Sequence, residues 1–122
     1  MKLVEYLKLR FRVDLVNVVF LSMPVVAVGE EIVFRGVIHR RLRKFLGKNA
    51  VMLLSSAVFT VAHFDFSRFL PTFVIGLFTA YSMERTGSIA PPLIIHGINN
   101  SMYFVWLFLS PAAFAAEKLS FP

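Results

Sequence analysis

Four apolar stretches fill most of this sequence, running from about Leu15 to Ile38, Ala50 to Phe64, Phe69 to Met83 and Ile89 to Leu109. Runs of that length within 122 residues leave few folds open. Hydrophobic residues make up 57% of the chain and mean hydropathy is +0.72. Soluble domains average roughly 45–50% apolar residues on a wider count that includes glycine. A soluble core of this length would leave much of its apolar surface in water, where large contiguous patches are rare. In lipid, an α-helix satisfies its backbone hydrogen bonds within one segment. The chain therefore reads as an all-α integral membrane protein, a bundle of about four transmembrane helices.

The first segment suffices for a hydrocarbon layer of roughly 30 Å, which takes about 20 helical residues. Pro24 is expected to kink it, because proline removes an internal hydrogen bond and clashes with the preceding turn. Residues 39–48, HRRLRKFLGK, form the first connection, and their positive charge places them on the cytoplasmic side of a multi-pass protein in the cell membrane. The second and third segments hold only about 15 residues, roughly 22 Å of helix. They imply a thinned bilayer, or screening by other helices and a water-filled cavity. Pro91 and Pro92 fall near the first turn of the fourth segment, where a missing amide donor matters little, and Pro111 marks its end. Gly76, four residues before Ala80, suits close helix packing. Residues 1–14, with Leu3, Leu7 and Phe11 four apart, read either as an interfacial amphipathic helix or as the frayed start of the next helix. Residues 15–110 read as one membrane domain and 111–122 as a C-terminal tail.

Composition narrows the chemistry. Without cysteine there is no disulfide, thiolate nucleophile or thiolate ligand, so oxygen and nitrogen groups must do the work. The net charge of +6 comes from residues that flank apolar segments, which suits lipid headgroups and excludes a nucleic-acid partner. The first apolar run ends in Glu30, Glu31 and Arg35 and has no cleavage pattern, so it is no signal peptide.

Ionisable groups within apolar segments are expensive and need a partner or a function. Glu31 and Arg35 are four apart, share a helical face and suit an internal ion pair. Glu30 points about 100 degrees away and is the freer carboxylate, fit to take a proton from water. Counting from the helix ends puts Glu30 and His96 at a similar depth of roughly 12 Å. The same count sets His63 several ångströms deeper. Asn100 follows His96 by one turn and can donate to charge developing on oxygen. Phe59 precedes His63 by one turn and suits an aromatic wall beside the imidazole, or ordinary packing. His39, beside the basic loop, reads as a surface or headgroup residue. Asp65, Glu84 and Arg85 read as helix-end charges, and Tyr103 and Trp106 as interfacial anchors or packing residues.

These residues fall into three motifs on separate apolar segments. They are EExxxR at Glu30, Glu31 and Arg35, FxxxH at Phe59 and His63, and HxxxN at His96 and Asn100, joined by the RTGS run at Arg85 to Ser88. In this order they resemble the CPBP family, the CAAX protease and bacteriocin-processing enzymes also called the Abi family, over about residues 22–105. The resemblance implies the core of a CPBP-like fold and an intramembrane endopeptidase acting on a membrane-associated peptide or protein. It implies Glu30 as the base that activates water, with His63 helping to orient it. His96 and Asn100 would stabilise the oxyanion, while Glu31 and Arg35 hold the site together. Ala80 stands where glycine is common in the family. The chain is also shorter than such enzymes commonly are, which makes it a minimal member, a fragment, or part of an assembly whose other helices come from a second copy or a partner. Two chemistries fit. Metal-free glutamate chemistry is favoured and no cofactor is expected. Zinc held by the histidines and a carboxylate is the alternative, although no HExxH occurs and ligands must converge from three helices. A prenyl pocket is not encoded, so a bacterial peptide or membrane protein is as good a substrate as a prenylated one. Two other functions use the same ionisable cluster: a non-catalytic membrane binding or bacteriocin self-immunity protein, and an ion or proton carrier. The carrier reading lacks a paired-repeat pattern.

Overall fold

A computed structural model describes residues 17–110, so the expected interfacial helix at 1–14 and tail at 111–122 lie outside the described residues. The architecture is all-helical, with no strand among the described residues. Helix α1 is helical from 18 to 42 and changes pitch along its length: π-helical at Val18–Ser22, α-helical at Met23–Glu31, π-helical at Ile32–His39 and α-helical again at Arg40–Leu42. Helix α2 spans Lys48–Ala62, a 3₁₀ turn follows at Phe66–Arg68, and α3 spans Phe69–Thr86. Helix α4 spans Ala90–Leu109. Helix α2 packs on α3, the Met23–Glu31 part of α1 packs on α4, α3 also meets α4, and the second π stretch of α1 leans on α2.

Local sequence explains the boundaries. Gly47, in extended conformation, precedes α2. Gly87 closes α3 in the left-handed region at φ 68°, its N–H donating to the Met83 carbonyl at 2.7 Å, a conformation that favours glycine. Pro91 and Pro92 stand in the first turn of α4 as expected. Asp65 keeps its helix-end role by accepting from the Ser67 amide at 3.1 Å, the Ser67 hydroxyl at 2.6 Å and Arg68 Nε at 2.6 Å. The bonds from Ser67, and then Arg68, hold its carboxyl down at about 2.

Around Pro24 the helical path continues, and a π stretch precedes the proline. In π geometry the carbonyl of residue i is served by the amide of i+5. For Val19 that residue is Pro24, which has no N–H. The Ser101 hydroxyl of α4 donates to the Val19 carbonyl instead, at 2.7 Å. Substituting Ser101→Ala is expected to destabilise the fold by about 1 kcal/mol, the net worth of one such bond. Ser101→Thr keeps the donor and should retain stability. Thermal unfolding in detergent checks both.

The interior is more polar than the outside. Among the described residues six apolar side chains are buried, Ala27, Val51, Phe59, Ala80, Met83 and Pro92. Eight polar or charged ones are buried with them: Glu31, Arg35, His39, Ser55, Ser56, Thr60, Thr79 and His96. Phe20, Val25, Leu53, Phe78, Ile94 and Trp106 are exposed and point outward from all four helices. Gly76 and Ala80 are both buried, as their small size led us to expect.

Among the described residues no helix is long and apolar enough to cross a membrane. This departs from the expected four spans, and the reasons are visible in each helix. Pitch changes divide α1 into short pieces, α2 has 15 residues, α3 ends in Glu84 and Arg85, and α4 carries His96, Asn99 and Asn100.

Candidate active site

Three polar atoms from three helices converge where α1, α2 and α4 meet. His63 Nε2 lies 3.5 Å from Glu30 Oε2, and His96 Nε2 lies 3.4 Å from the same oxygen. Both rings are fixed through their other nitrogen. His63 Nδ1 donates to the Phe59 carbonyl at 2.7 Å, and His96 Nδ1 donates to Glu31 Oε1 at 2.7 Å. A carbonyl can only accept, so the proton of neutral His63 sits on Nδ1 and its Nε2 presents a lone pair to Glu30. Glu30 Oε2 is itself buried without a hydrogen-bond partner. An oxygen and a nitrogen that both accept, 3.5 Å apart and on partly exposed side chains, can share a donor that approaches from the side.

The two adjacent glutamates have separate environments. Glu31 is fully buried, whereas Glu30 keeps 29% of its side chain exposed and His63 keeps 33%. Glu31 pairs with Arg35, Nε to Oε2, at 3.3 Å, as their spacing predicts. That contact lacks hydrogen-bond geometry, since Glu31 Oε2 and Arg35 Nε have no hydrogen-bond partner. Arg35 is anchored on the other side, where Nη2 donates to the Gly76 carbonyl at 2.7 Å. Its guanidinium also lies 4.6 Å from the centre of the Phe59 ring. Phe59 has more contacts than a wall beside one imidazole. Its ring sits 4.5 Å from His63, 5.4 Å from His96 and 5.1 Å from Phe34. Asn100 is half-buried one turn beyond His96, and among the described residues no hydrogen bond joins its amide to the Glu30 oxygens.

His39 corrects the sequence reading. It is no surface or headgroup residue: it is 1% exposed, with Nδ1 3.0 Å from Ser55 Oγ and Nε2 2.8 Å from Glu84 Oε1. Glu84, in turn, is more than a helix-end charge, for it also accepts from Arg43 Nε at 3.1 and 3.2 Å. The missed signal was a period: Glu31, Arg35, His39 and Arg43 stand four apart. In an α-helix of about 3.6 residues per turn, a four-residue step drifts around the axis. A π turn is wider, so the same step falls short of a full turn, and the Ile32–His39 stretch reverses the drift. The four side chains form one polar spine.

That spine also removes the depth mismatch expected for His63. The His39–Ser55 contact sets the register of α1 against α2. Glu30 lies nine residues before His39 and His63 eight after Ser55, so the two reach the same level. Helix α1 also runs on to Leu42, past the point where the basic loop was expected to begin.

Glu84 stands beyond the apolar part of α3. Burial pushes its carboxyl up, but the bonds from His39 and Arg43 outweigh this and bring it below its ordinary 4.5. A carboxyl lowered by folding contributes stability above its unfolded value, and that stability is lost as pH falls through the folded one. Acidification below about 4.5 is therefore expected to lower the thermal midpoint of the wild-type protein more than that of Glu84→Gln. Circular dichroism melts over a pH series measure the difference.

Among the described residues no group of three or more histidines and carboxylates meets the geometry of a metal site. Comparison with known proteins adds family and length. Residues 12–102 match the family described as type II CAAX prenyl endopeptidase Rce1-like. The chain is 33% identical to the membrane-embedded CAAX protease MroQ of Staphylococcus aureus (strain USA300), in an alignment covering 75% of this chain and 40% of that protein. It thus spans about two-fifths of the length of the curated relative it matches. No solved structure matches significantly.

Proposed function

This chain belongs to the Rce1-like family of type II CAAX prenyl endopeptidases, within the CPBP proteases its motifs resemble, and from that premise we propose that it forms the catalytic core of a membrane endopeptidase. The reaction is hydrolysis of a peptide bond in a membrane-associated peptide or protein by water that Glu30 activates. The observation that carries this reading is the approach of His63 Nε2 and His96 Nε2 to Glu30 Oε2, with Glu31 withdrawn into a buried pair.

A water molecule beside Glu30 and His63 donates a hydrogen to Glu30 and lies within reach of His63 Nε2. Glu30 takes the proton as the water oxygen attacks the scissile carbonyl, and later returns it to the leaving amine, which balances the reaction. His63 orients the water through Nε2, since its Nδ1 proton is committed to the Phe59 carbonyl. His96 carries a proton on Nε2 as well when it donates to the oxyanion, with Glu31 at Nδ1 offsetting the charge. Asn100 adds an amide donor on the same face. Zinc chemistry would draw on the same Nε2 and carboxylate atoms, and is the alternative the experiment separates.

Membrane embedding is supported by the outward apolar side chains around a polar interior, by the family, and by the description of the relative as membrane-embedded. We place the basic residues after His39 on the cytoplasmic side by the positive-inside rule. The outward faces of the helices suit lipid, or further helices from a second copy or a partner.

The test is cleavage of a peptide library by detergent-purified protein, wild type and Glu30→Gln, before and after chelation. The expected result is wild-type cleavage that survives chelation and is lost in Glu30→Gln. Activity indifferent to Glu30→Gln would overturn the assigned base. Activity abolished by chelation and restored by zinc would replace water activation by glutamate with metal chemistry. A wild-type protein that binds library peptides and cleaves none would favour the non-catalytic binding function.

A further inference from the structure

Gly76 of α3 touches both supports of the Glu30 site without touching Glu30 itself. Its carbonyl accepts Arg35 Nη2 at 2.7 Å, so it anchors the arm running through Arg35 and Glu31 to His96. Its bare Cα lets Phe59 approach, and Phe59 is the foot of the other arm, since its carbonyl holds His63 Nδ1. A Cβ built at Gly76 would lie 3.3 Å from Phe59 Cδ1 and 3.2 Å from Ser56 Cβ, closer than side chains ordinarily pack.

Neither neighbour yields easily. The Phe59 ring is boxed in by Phe34, His63, His96 and the Arg35 guanidinium. Ser56 is buried on α2, its hydroxyl tied to the Met52 carbonyl at 2.6 Å. Packed interiors pass such displacement on instead of absorbing it. A methyl at residue 76 therefore moves α3 or Phe59, and with it both imidazoles.

We propose that Gly76 is a positioning residue for hydrolysis: its carbonyl and its missing side chain together set Arg35 and Phe59, and through them the two histidines at Glu30. This rests on Glu30, His63 and His96 being the reacting group.

The test compares wild type, Gly76→Ala, Ser56→Gly and the double variant. Gly76→Ala is expected to lower kcat between about tenfold and a hundredfold at little-changed KM, the scale on which displacement of a reacting group by about 1 Å registers. The pH profile of kcat should change with it. Ser56→Gly removes the 3.2 Å conflict and should restore most of the activity in the double variant. A residue that only packs would lower the thermal midpoint and leave kcat per folded molecule and the pH profile unchanged. Wild-type-like values for both in folded Gly76→Ala would overturn the proposal. If the alanine variant does not fold, the double variant carries the same measurements, its remaining 3.3 Å conflict with Phe59 giving a smaller loss.

A second readout needs no activity. The chain has three histidines, so ¹⁵N ring spectra are readily assigned. The His63 and His96 ring nitrogens should shift in Gly76→Ala and move back in the double variant. Unshifted rings would overturn the proposal independently. Failure of the wild type to cleave any peptide would remove the endopeptidase reading, while these spectra still decide whether Gly76 sets the imidazoles.

Discussion

Glu30→Gln is expected to reduce kcat by a factor between about 10² and 10⁴, the contribution of a positioned general base. The loss should fall equally on kcat and kcat/KM, because the proton transfer is made only in the transition state. Glutamine keeps the volume of glutamate, so packing gives no reason for the fold to weaken. The substitution adds a donor where the wild-type site has two acceptors: the amide nitrogen can donate to His63 Nε2, which faces Glu30 Oε2 at 3.5 Å. That oxygen has no hydrogen-bond partner in the wild type. The thermal midpoint of Glu30→Gln should therefore stay close to that of the wild type while activity is lost. Stopped assays for kcat and KM, with melts of the same preparations, test both halves. A fall in midpoint that accounts for the lost activity would instead make Glu30 a structural residue.

How much of this was legible in sequence follows from the range of each interaction. The Glu31–Arg35 pair lies within one helical turn, so spacing alone reveals it. Phe59 and His63 share a turn in the same way. The start of α4 was legible through the Pro91–Pro92 pair, whose own backbone chemistry suits a first turn. The π stretches were not, since no residue type announces them. Their effect on register hid His39, whose partners Ser55 and Glu84 lie 16 and 45 residues away. The depth of His63 could not be counted correctly from loops for the same reason: contacts between helices, not connection lengths, set the level. Gly76 looked like a small residue for packing, and its carbonyl bond to Arg35 across 41 residues had no sequence signal.

Arg35→Met is expected to destabilise the fold by about 3–5 kcal/mol, the usual result of removing one partner of a buried ion pair. Both side chains are fully buried, so the Glu31 carboxylate would be left without water and with the His96 ring as its one remaining partner. The Gly76 carbonyl and the face of Phe59 would lose their contacts as well. If the stranded charge dominates, neutralising it should recover stability, and Arg35→Met/Glu31→Gln should be more stable than Arg35→Met alone. Contacting residues couple by about 0.5–3 kcal/mol in such cycles. Activity should not follow stability. An amide at residue 31 still accepts from His96 Nδ1 through its oxygen, but it can also turn its NH₂ toward the ring, so it no longer fixes which nitrogen of His96 carries the proton. The double variant is therefore expected to be folded but slow, with kcat reduced and KM nearly unchanged. A double variant as active as the wild type would mean that Arg35 and Glu31 support the helices alone. One no more stable than Arg35→Met would place the loss at Gly76 and Phe59, the other two contacts the guanidinium makes.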